Sequence, residues 1–206
     1  MRRLFIADLH LHPARPKHSR ALIDFCQQRI NVDDELYILG DLFEAWIGDD
    51  VGIVTYADVI ACFKQLTSSG TQVFFMAGNR DFLIADEFCQ ATGIKILPDP
   101  TIISFDNQKT LLMHGDTLCT DDIEYQKFRS LVRDPHWQNQ FLSMTPALRM
   151  QQAAHYRQQS KEMTANKSND IMDVNAQTVT QAMRHSQVHL LIHGHTHRPK
   201  VHHLKN

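Results

Sequence analysis

Five short apolar runs punctuate the chain: Leu4–Ala7, Glu35–Leu39, Gln72–Ala77, Thr110–Met113 and His189–Ile192. They are rich in Leu, Ile, Phe and Val and too short for ordinary helices, so each predicts a strand buried on both faces. Between the first two, Leu22, Phe25, Cys26 and Ile30 recur at near-helical spacing after Ser19. Between the next two, Tyr56, Val59, Ile60, Phe63 and Leu66 do so before Gly70. These predict helices, the second closed by a glycine C-cap. Strands alternating with helices predict an α/β fold with much of the sheet parallel and helices packed on its faces.

From Thr120 to about Asp170 the pattern changes to a polar, amphipathic stretch rich in Gln, Arg, Lys and Met, interrupted by Pro135 and Pro146. It predicts a helical cap inserted over the site. No repeat, low-complexity tract or Gly/Ser linker divides the chain, so residues 1–206 are expected to form a single domain with the cap, about 120–170, as an insertion. The formal charge of −2 supplies no basic field, which argues against non-specific nucleic-acid binding and makes any phosphate recognition local. Cys26, Cys62, Cys89 and Cys119 form no C-x-x-C pair, which predicts reduced, buried thiols. A polar stretch begins at Asp8, too soon for a signal peptide or a span of ~20 apolar residues. The expected location is the cytoplasmic side of the membrane.

Each apolar run ends in a polar cluster: Asp8-Leu9-His10, Gly40-Asp41, Gly78-Asn79-Arg80-Asp81, His114-Gly115-Asp116, and His193-Gly194-His195-Thr196-His197. Ligands of open α/β sheets bind beyond the carboxyl ends of strands, where all five clusters fall. Residues two apart in an extended segment share a side, so Asp8 converges with His10, and His195 with His197. Adding Asp41, Asn79 and His114 gives seven O and N ligands, too many for one four-coordinate zinc but suited to two ions sharing a carboxylate. The absence of thiolate favours Mn²⁺, Fe or Zn²⁺. His12 and His193 continue the same parity and are expected to support the ligands rather than join them. For His18, His136, His155, His185, His189, His202 and His203 surface or packing roles are expected.

A lone Asp-x-His or Gly-Asp is weak evidence. The ordered series D-x-H, G-D, G-N-R-D, H-G-D, G-H-T-H, from Asp8 to His197, resembles the calcineurin-like metallophosphoesterases. Within them, Phe5-Ile-Ala-Asp-Leu-His10, the segment Tyr37 to Asp50, the segment His114 to Asp122 and Ile171-Met-Asp-Val-Asn175 resemble the UDP-2,3-diacylglucosamine pyrophosphohydrolase family specifically. The resemblance implies a two-sheet β-sandwich core flanked by helices, in α/β-β-α layers, with a helical cap. It implies two Mn²⁺ ions per chain, one held by Asp8, His10, Asp41 and His197, the other by Asp41, Asn79, His114 and His195. It further implies hydroxide attack on the α-phosphorus of UDP-2,3-diacylglucosamine, releasing UMP and 2,3-diacylglucosamine 1-phosphate in lipid A synthesis. Asp41, Asn79, Arg80 and His114 would be catalytic, with Arg80 steadying the phosphates.

By the same resemblance Asn79, Arg80, Asp122, Ser160, Thr164, Lys167 and His195 contact the lipidated nucleotide sugar, with Arg157 as a further cation. Arg157, Ser160, Lys161, Thr164 and Lys167 stand at intervals that put most of them on one helical face, which a solvated charged face would also explain. Trp137, Phe141, Met144 and Leu148 form an apolar stripe suited to acyl chains, to a membrane interface, or to packing within the cap. The expected partners are this substrate and the inner-membrane surface, at which the protein is peripheral, with no nucleic acid and no obligate protein partner. Two rivals are a superfamily phosphodiesterase for a soluble nucleotide and a non-catalytic metal-binding scaffold. Family members continue beyond Pro199 with further strands, so the resemblance implies truncated C-terminal strands in a sequence that stops at Asn206.

Overall fold

The computed structural model describes residues 1–105, 107–165, 171 and 173–204; the side chains of Phe105, Lys161, Met163, Thr164 and Ala165 lie outside that description. Strands β1 (Arg3–Ile6), β2 (Glu35–Ile38), β3 (Gln72–Met76) and β4 (Lys95–Leu97) form a parallel sheet in that order. A second sheet is ordered β5 (Thr101–Phe105), β6 (Gln108–Met113), β7 (Leu190–His193), with β5 antiparallel and β7 parallel to β6.

The two-residue strand period sorts the side chains into layers. Leu36, Ile38, Val73 and Phe75 face the helices α1 (Pro16–Arg29) and α3 (Ala57–Ser68), where Cys26, Val59 and Phe63 meet them. Tyr37, Leu39 and Met76 point the other way, onto Leu112 and Ile192 of the second sheet. On the far face of that sheet, Leu111, Met113 and Leu191 pack against Val179, Ala182 and Met183 of α8 (Ala176–His185). The result is the α/β-β-α layering. Truncating a residue such as Phe75, fully buried between layers, would cost about 3–5 kcal/mol of a typical ~5–15 kcal/mol.

Strands β1, β2, β3, β6 and β7 follow the apolar runs because side chains on both of their faces pack into the core. Strands β4 and β5 have no counterpart among those runs. Both carry solvent-facing positions, Lys95 and Ile96 in the first and Ile102 and Ser104 in the second, so neither carries a continuous apolar signal. Helix α1 starts at Pro16 rather than after Ser19, because proline pre-sets φ and gives up a donor that a first turn cannot use. Gly70, at φ +106°, closes α3 as its spacing predicts. The four cysteines are free, three of them buried.

The segment expected to form a cap holds α5 (Ile123–Val132), α6 (Pro135–Leu142) and α7 (Pro146–Ala165). Pro135 and Pro146 open the second and third of these. Asp134 caps α6 by accepting from the His136 and Trp137 backbone N–H groups. Two shorter helices, α2 (Asp49–Thr55) and α4 (Asp86–Thr92), complete the layer over the first sheet. Among the described residues no helix is long and apolar enough to cross a membrane.

Candidate metal centre

The loops leaving β1, β2, β3, β6 and β7 meet at one end of the sandwich. Their backbones are unusual: Asp8, His10, Asp41, His195 and His197 all have φ between +47° and +71°. Left-handed geometry costs a non-glycine residue about 1–2 kcal/mol, and here it falls on five of the seven predicted ligands. Cross-loop hydrogen bonds hold the strain. Asp8 N–H donates to the Gly40 carbonyl (3.1 Å), His10 N–H to Asp41 (3.0 Å) and Gly194 N–H to His114 (2.8 Å). His195 N–H lies 2.8 and 2.9 Å from the two Asp8 carboxylate oxygens. Gly78 has to be glycine for space, since a Cβ there would stand 2.2 Å from Asp41 Oδ1.

The organising residue of this loop cluster is Asp81, fully buried. Its Oδ1 accepts from Gly78 N–H (2.8 Å) and Asp41 N–H (3.3 Å), its Oδ2 from Leu42 N–H (2.7 Å) and Phe43 N–H (3.3 Å). The carboxylate therefore ties the β3 loop to the β2 loop and aims both Asn79 and Asp41. Along the sequence Asp81 stands only at the end of a polar cluster. Its signal is a carboxylate two positions after the predicted ligand Asn79 in a glycine-led turn.

The seven predicted ligands converge in two groups. Asp8, His10 and His197 form one, and Asp41, His114 and His195 the other, with the ligand atoms within each group no more than 4.8 Å apart. Asp41 reaches both: Oδ2 lies 3.7 Å from His10 Nε2, and Oδ1 lies 3.8 Å from His114 Nε2. Asn79 Oδ1 joins the second group, 3.1 Å from His114 Nε2 and 2.9 Å from His195 Nδ1. His114 Nδ1 is committed to the Leu39 carbonyl at 2.8 Å, so in the neutral ring Nε2 carries a lone pair aimed at another acceptor. His10 Nε2 and His197 Nε2 face each other at 2.9 Å. Acceptors this close repel unless a proton or cation lies among them, so the donor set fits divalent ions.

Electrostatics point the same way. Burial pulls His10 down to about 4 and His195 to about 3, assisted in both by His197, so both imidazoles are neutral with lone pairs available at physiological pH. Burial pushes the Asp41 and Asp8 carboxyls up, the expected response of carboxylates whose charge lacks compensation. Burial also opposes charge on His114, but Asp41, Asp116 and Asp8, with the Leu39 carbonyl, outweigh it and raise that group. The pocket favours positive charge. The two groups differ in access: the His197 side chain is 56% exposed, whereas His114 is fully buried.

A cavity under the cap opens onto the second group. Asn79 and Arg80 stand at its floor, Trp46, Phe82, Leu83, Phe128, Val132, Trp137 and Phe141 give it apolar walls, and Arg157 and Ser160 of α7 line it. Of the predicted apolar stripe, Trp137 and Phe141 face this cavity, while Leu148 is exposed outside it. Arg80 lends its backbone N–H to Asp41 Oδ1 (2.8 Å), and its buried Nε has no partner among the described residues. Asp122 is the N-cap of α5, accepting from Tyr125 N–H at 3.1 Å, and does not line the cavity. Lys167 lies outside the described residues, as does the side chain of Thr164.

Three contacts lock the cap to the centre, and sequence reading identified none of them. Asp116 Oδ2 accepts from Tyr125 Oη (2.8 Å) and Arg129 Nε (2.7 Å) of α5. Arg133 donates to the Gly78 carbonyl (2.8 Å) and lies over the Phe82 ring. Arg149 of α7, buried, donates to the Ile47 carbonyl (2.6 Å) and to both Asp50 oxygens. His12 Nδ1 accepts from Ala14 N–H and His193 Nδ1 lies 2.9 Å from the Gly194 carbonyl, so both serve their own turns.

Residues 1–199 match the calcineurin-like phosphoesterase family. The chain is 49% identical to a UDP-2,3-diacylglucosamine hydrolase of Aromatoleum aromaticum and 46% identical to one of Chromohalobacter salexigens, each over 98% of this chain and 82% of the relative. It is 47% identical to the UDP-2,3-diacylglucosamine hydrolase of Salmonella typhi over 99% of this chain and 85% of the relative. A solved protein of unknown function from Aquifex aeolicus superposes with a TM-score of 0.50 at 16% identity, covering 96% of this chain and 80% of its own, a likeness of fold alone.

Proposed function

The chain belongs to the calcineurin-like phosphoesterase family, and from that premise we propose that it hydrolyses the pyrophosphate bond of UDP-2,3-diacylglucosamine, releasing UMP and 2,3-diacylglucosamine 1-phosphate for lipid A synthesis. The observation that carries this reading is one constellation: two acceptor groups sharing Asp41, beside an apolar cavity whose floor holds Arg80.

Membership of the family implies a divalent metal centre, and the two ligand groups support two ions, which we assign as Mn²⁺. Asp8, His10, Asp41 and His197 would hold one, and Asp41, Asn79, His114 and His195 the other. Divalent ions held there would lower the pKa of water and neutralise phosphate charge. The chain's own part is positional. The Asp41–Asp81 loop contact fixes the shared carboxylate, and His114 is oriented through its Nδ1 bond to Leu39. Arg80 brings an unpartnered buried N–H to a substrate phosphate oxygen, a charge-assisted bond in a site sheltered from water. Arg157 and Ser160 offer donors to the glucosamine, and the aromatic walls take the acyl chains. Asp122, Thr164 and Lys167 join them on the resemblance alone.

The cavity favours a lipid over a soluble nucleotide, which needs no apolar chamber. Exposed Ile123, Leu131, Leu142, Leu148 and Met150 on the cap helices support peripheral contact with the cytoplasmic face of the inner membrane. The test is Mn²⁺-dependent release of UMP from UDP-2,3-diacylglucosamine by this chain beside His114→Ala. Turnover by the parent, lost in the variant, is expected. Retained turnover in the variant, or none by folded, metal-loaded parent, overturns the reading.

A further inference from the structure

A second depression flanks the same centre. It is lined by Leu9, Arg15, His18, Glu44 and Arg80 around the Asp8, His10 and His197 group, and among the described residues none of the cap enters it. Among the described residues only Glu44 and Arg80 border both this cleft and the cap cavity. Resting on the function proposed above, we infer that this cleft binds the nucleoside half of the substrate, a pyrimidine ribonucleoside 5′-phosphate, and that Arg15 and His18 recognise it.

The substrate has two chemically opposite ends joined by a diphosphate. The acyl end requires the apolar chamber beside Asn79. With the diphosphate across the two ligand groups, the nucleoside emerges at the other group, where the walls are polar. Placed in the cap cavity instead, the polar edge of a pyrimidine would face Trp46, Phe128 and Trp137 and leave hydrogen-bonding atoms unpaired.

The cleft carries groups suited to such a ligand. Arg15 Nη2 donates to the His10 carbonyl (3.0 Å) and to Glu44 Oε2 (2.9 Å), which fixes the guanidinium plane. Its Nε and Nη1 donors have no partner among the described residues, and neither does the His18 ring, so the cleft offers spare N–H donors and two planar faces. A planar cation stacks on a base and donates to its carbonyls, while the Glu44 carboxylate accepts from ribose hydroxyls. Neither Arg15 nor His18 belongs to a metal motif, and sequence reading left His18 on the surface. The half-exposed His197 of the first group, against the buried Asp41 and His114 of the second, is consistent with a ligand entering and leaving on this flank.

The experiment follows formation of the lipid phosphate by the Mn²⁺-loaded chain, with UMP added as inhibitor in one series and the lipid phosphate product in another. His18→Ala and Arg15→Gln are compared with the parent, the first changing an exposed side chain that bonds nothing among the described residues. The UMP inhibition constant is expected to rise about tenfold in each variant, the loss of one base contact, while that of the lipid product shifts by less than about twofold. An unchanged UMP constant, equal shifts in both constants, or a parent insensitive to UMP overturns the inference. A parent that forms no product overturns the proposed function instead, so the two failures are distinguishable.

Discussion

Asp81→Asn is expected to destabilise the fold by about 3 kcal/mol and to weaken metal binding with it. The carboxylate accepts four backbone N–H groups, two on each oxygen, with Gly78 (2.8 Å) and Leu42 (2.7 Å) the short contact on either side. An amide of the same shape has one acceptor oxygen. Whichever way it turns, one short bond is lost and its N–H faces an NH₂ group at a site with no access to water. A hydrogen bond to a charged group contributes roughly 1.5–3 kcal/mol, and an orphaned buried donor adds to the loss. For a chain of this size 1 kcal/mol corresponds to about 2–4 °C, so the midpoint should fall by roughly 6–12 °C. Thermal unfolding followed by circular dichroism with metal chelated reads the fold. Calorimetric Mn²⁺ titration reads the centre, because the same bonds aim Asp41 and Asn79. A midpoint within about 2 °C of the parent, with Mn²⁺ affinity unchanged, would refute the reasoning and mean that the β2 and β3 loops keep their shape without this carboxylate.

Chelation should lower the unfolding midpoint of the parent by several degrees, since ligand at a hundredfold its Kd stabilises by about 2.7 kcal/mol; coincident melting curves with and without chelator would contradict the ligand assignment. Arg149→Ala should raise KM for the lipid substrate by about tenfold with a smaller effect on kcat, because α7 carries Arg157 and Ser160 eight and eleven residues further on and is registered by Arg149 on Ile47 and Asp50. Arg149→Lys should restore little, since an ammonium cannot match the fork, and an unchanged KM in Arg149→Ala would sink this role. The Arg2 guanidinium and the Asn31 N–H hold the Asp34 carboxyl well below the usual carboxylate range. A depressed folded pKa contributes stability above the unfolded value of about 3.9 and loses it as pH falls towards the folded one. The gap in midpoint between parent and Asp34→Asn, measured from pH 7 to pH 2, should therefore narrow below about pH 4, and a constant gap would contradict the pairing.

Much of this molecule was legible along the chain, and the legible parts share a cause. Strands β1, β2, β3, β6 and β7 announce themselves because each is apolar on both faces, and a buried strand has no choice of composition. The meeting of the seven candidate ligands follows because short polar clusters after such strands are forced to one end of a parallel sheet. Strands β4 and β5 escaped because solvent-facing positions free their composition: Lys95 and Ser104 carry no more signal than a loop would.

The partners across the chain were not legible. Asp81 meets residues 38 to 40 positions earlier, Arg149 reaches back about a hundred, and Arg15 meets Glu44 29 positions on. Side-chain identity at either end permits many partners, and only packing selects one. The same holds for the two depressions. Aromatic and cationic residues in the cap announced a surface of mixed character, but which of them face a cavity depends on how α5, α6 and α7 are clamped by Asp116, Gly78 and Ile47. The sequence by itself determined the five core strands and the polar clusters that end them, because burial and strand period act on neighbouring residues. The tertiary structure alone decided the left-handed loop geometry, the carboxylate that holds it and the separation of an apolar chamber from a polar cleft, because each is a balance among groups that meet only once the chain has closed.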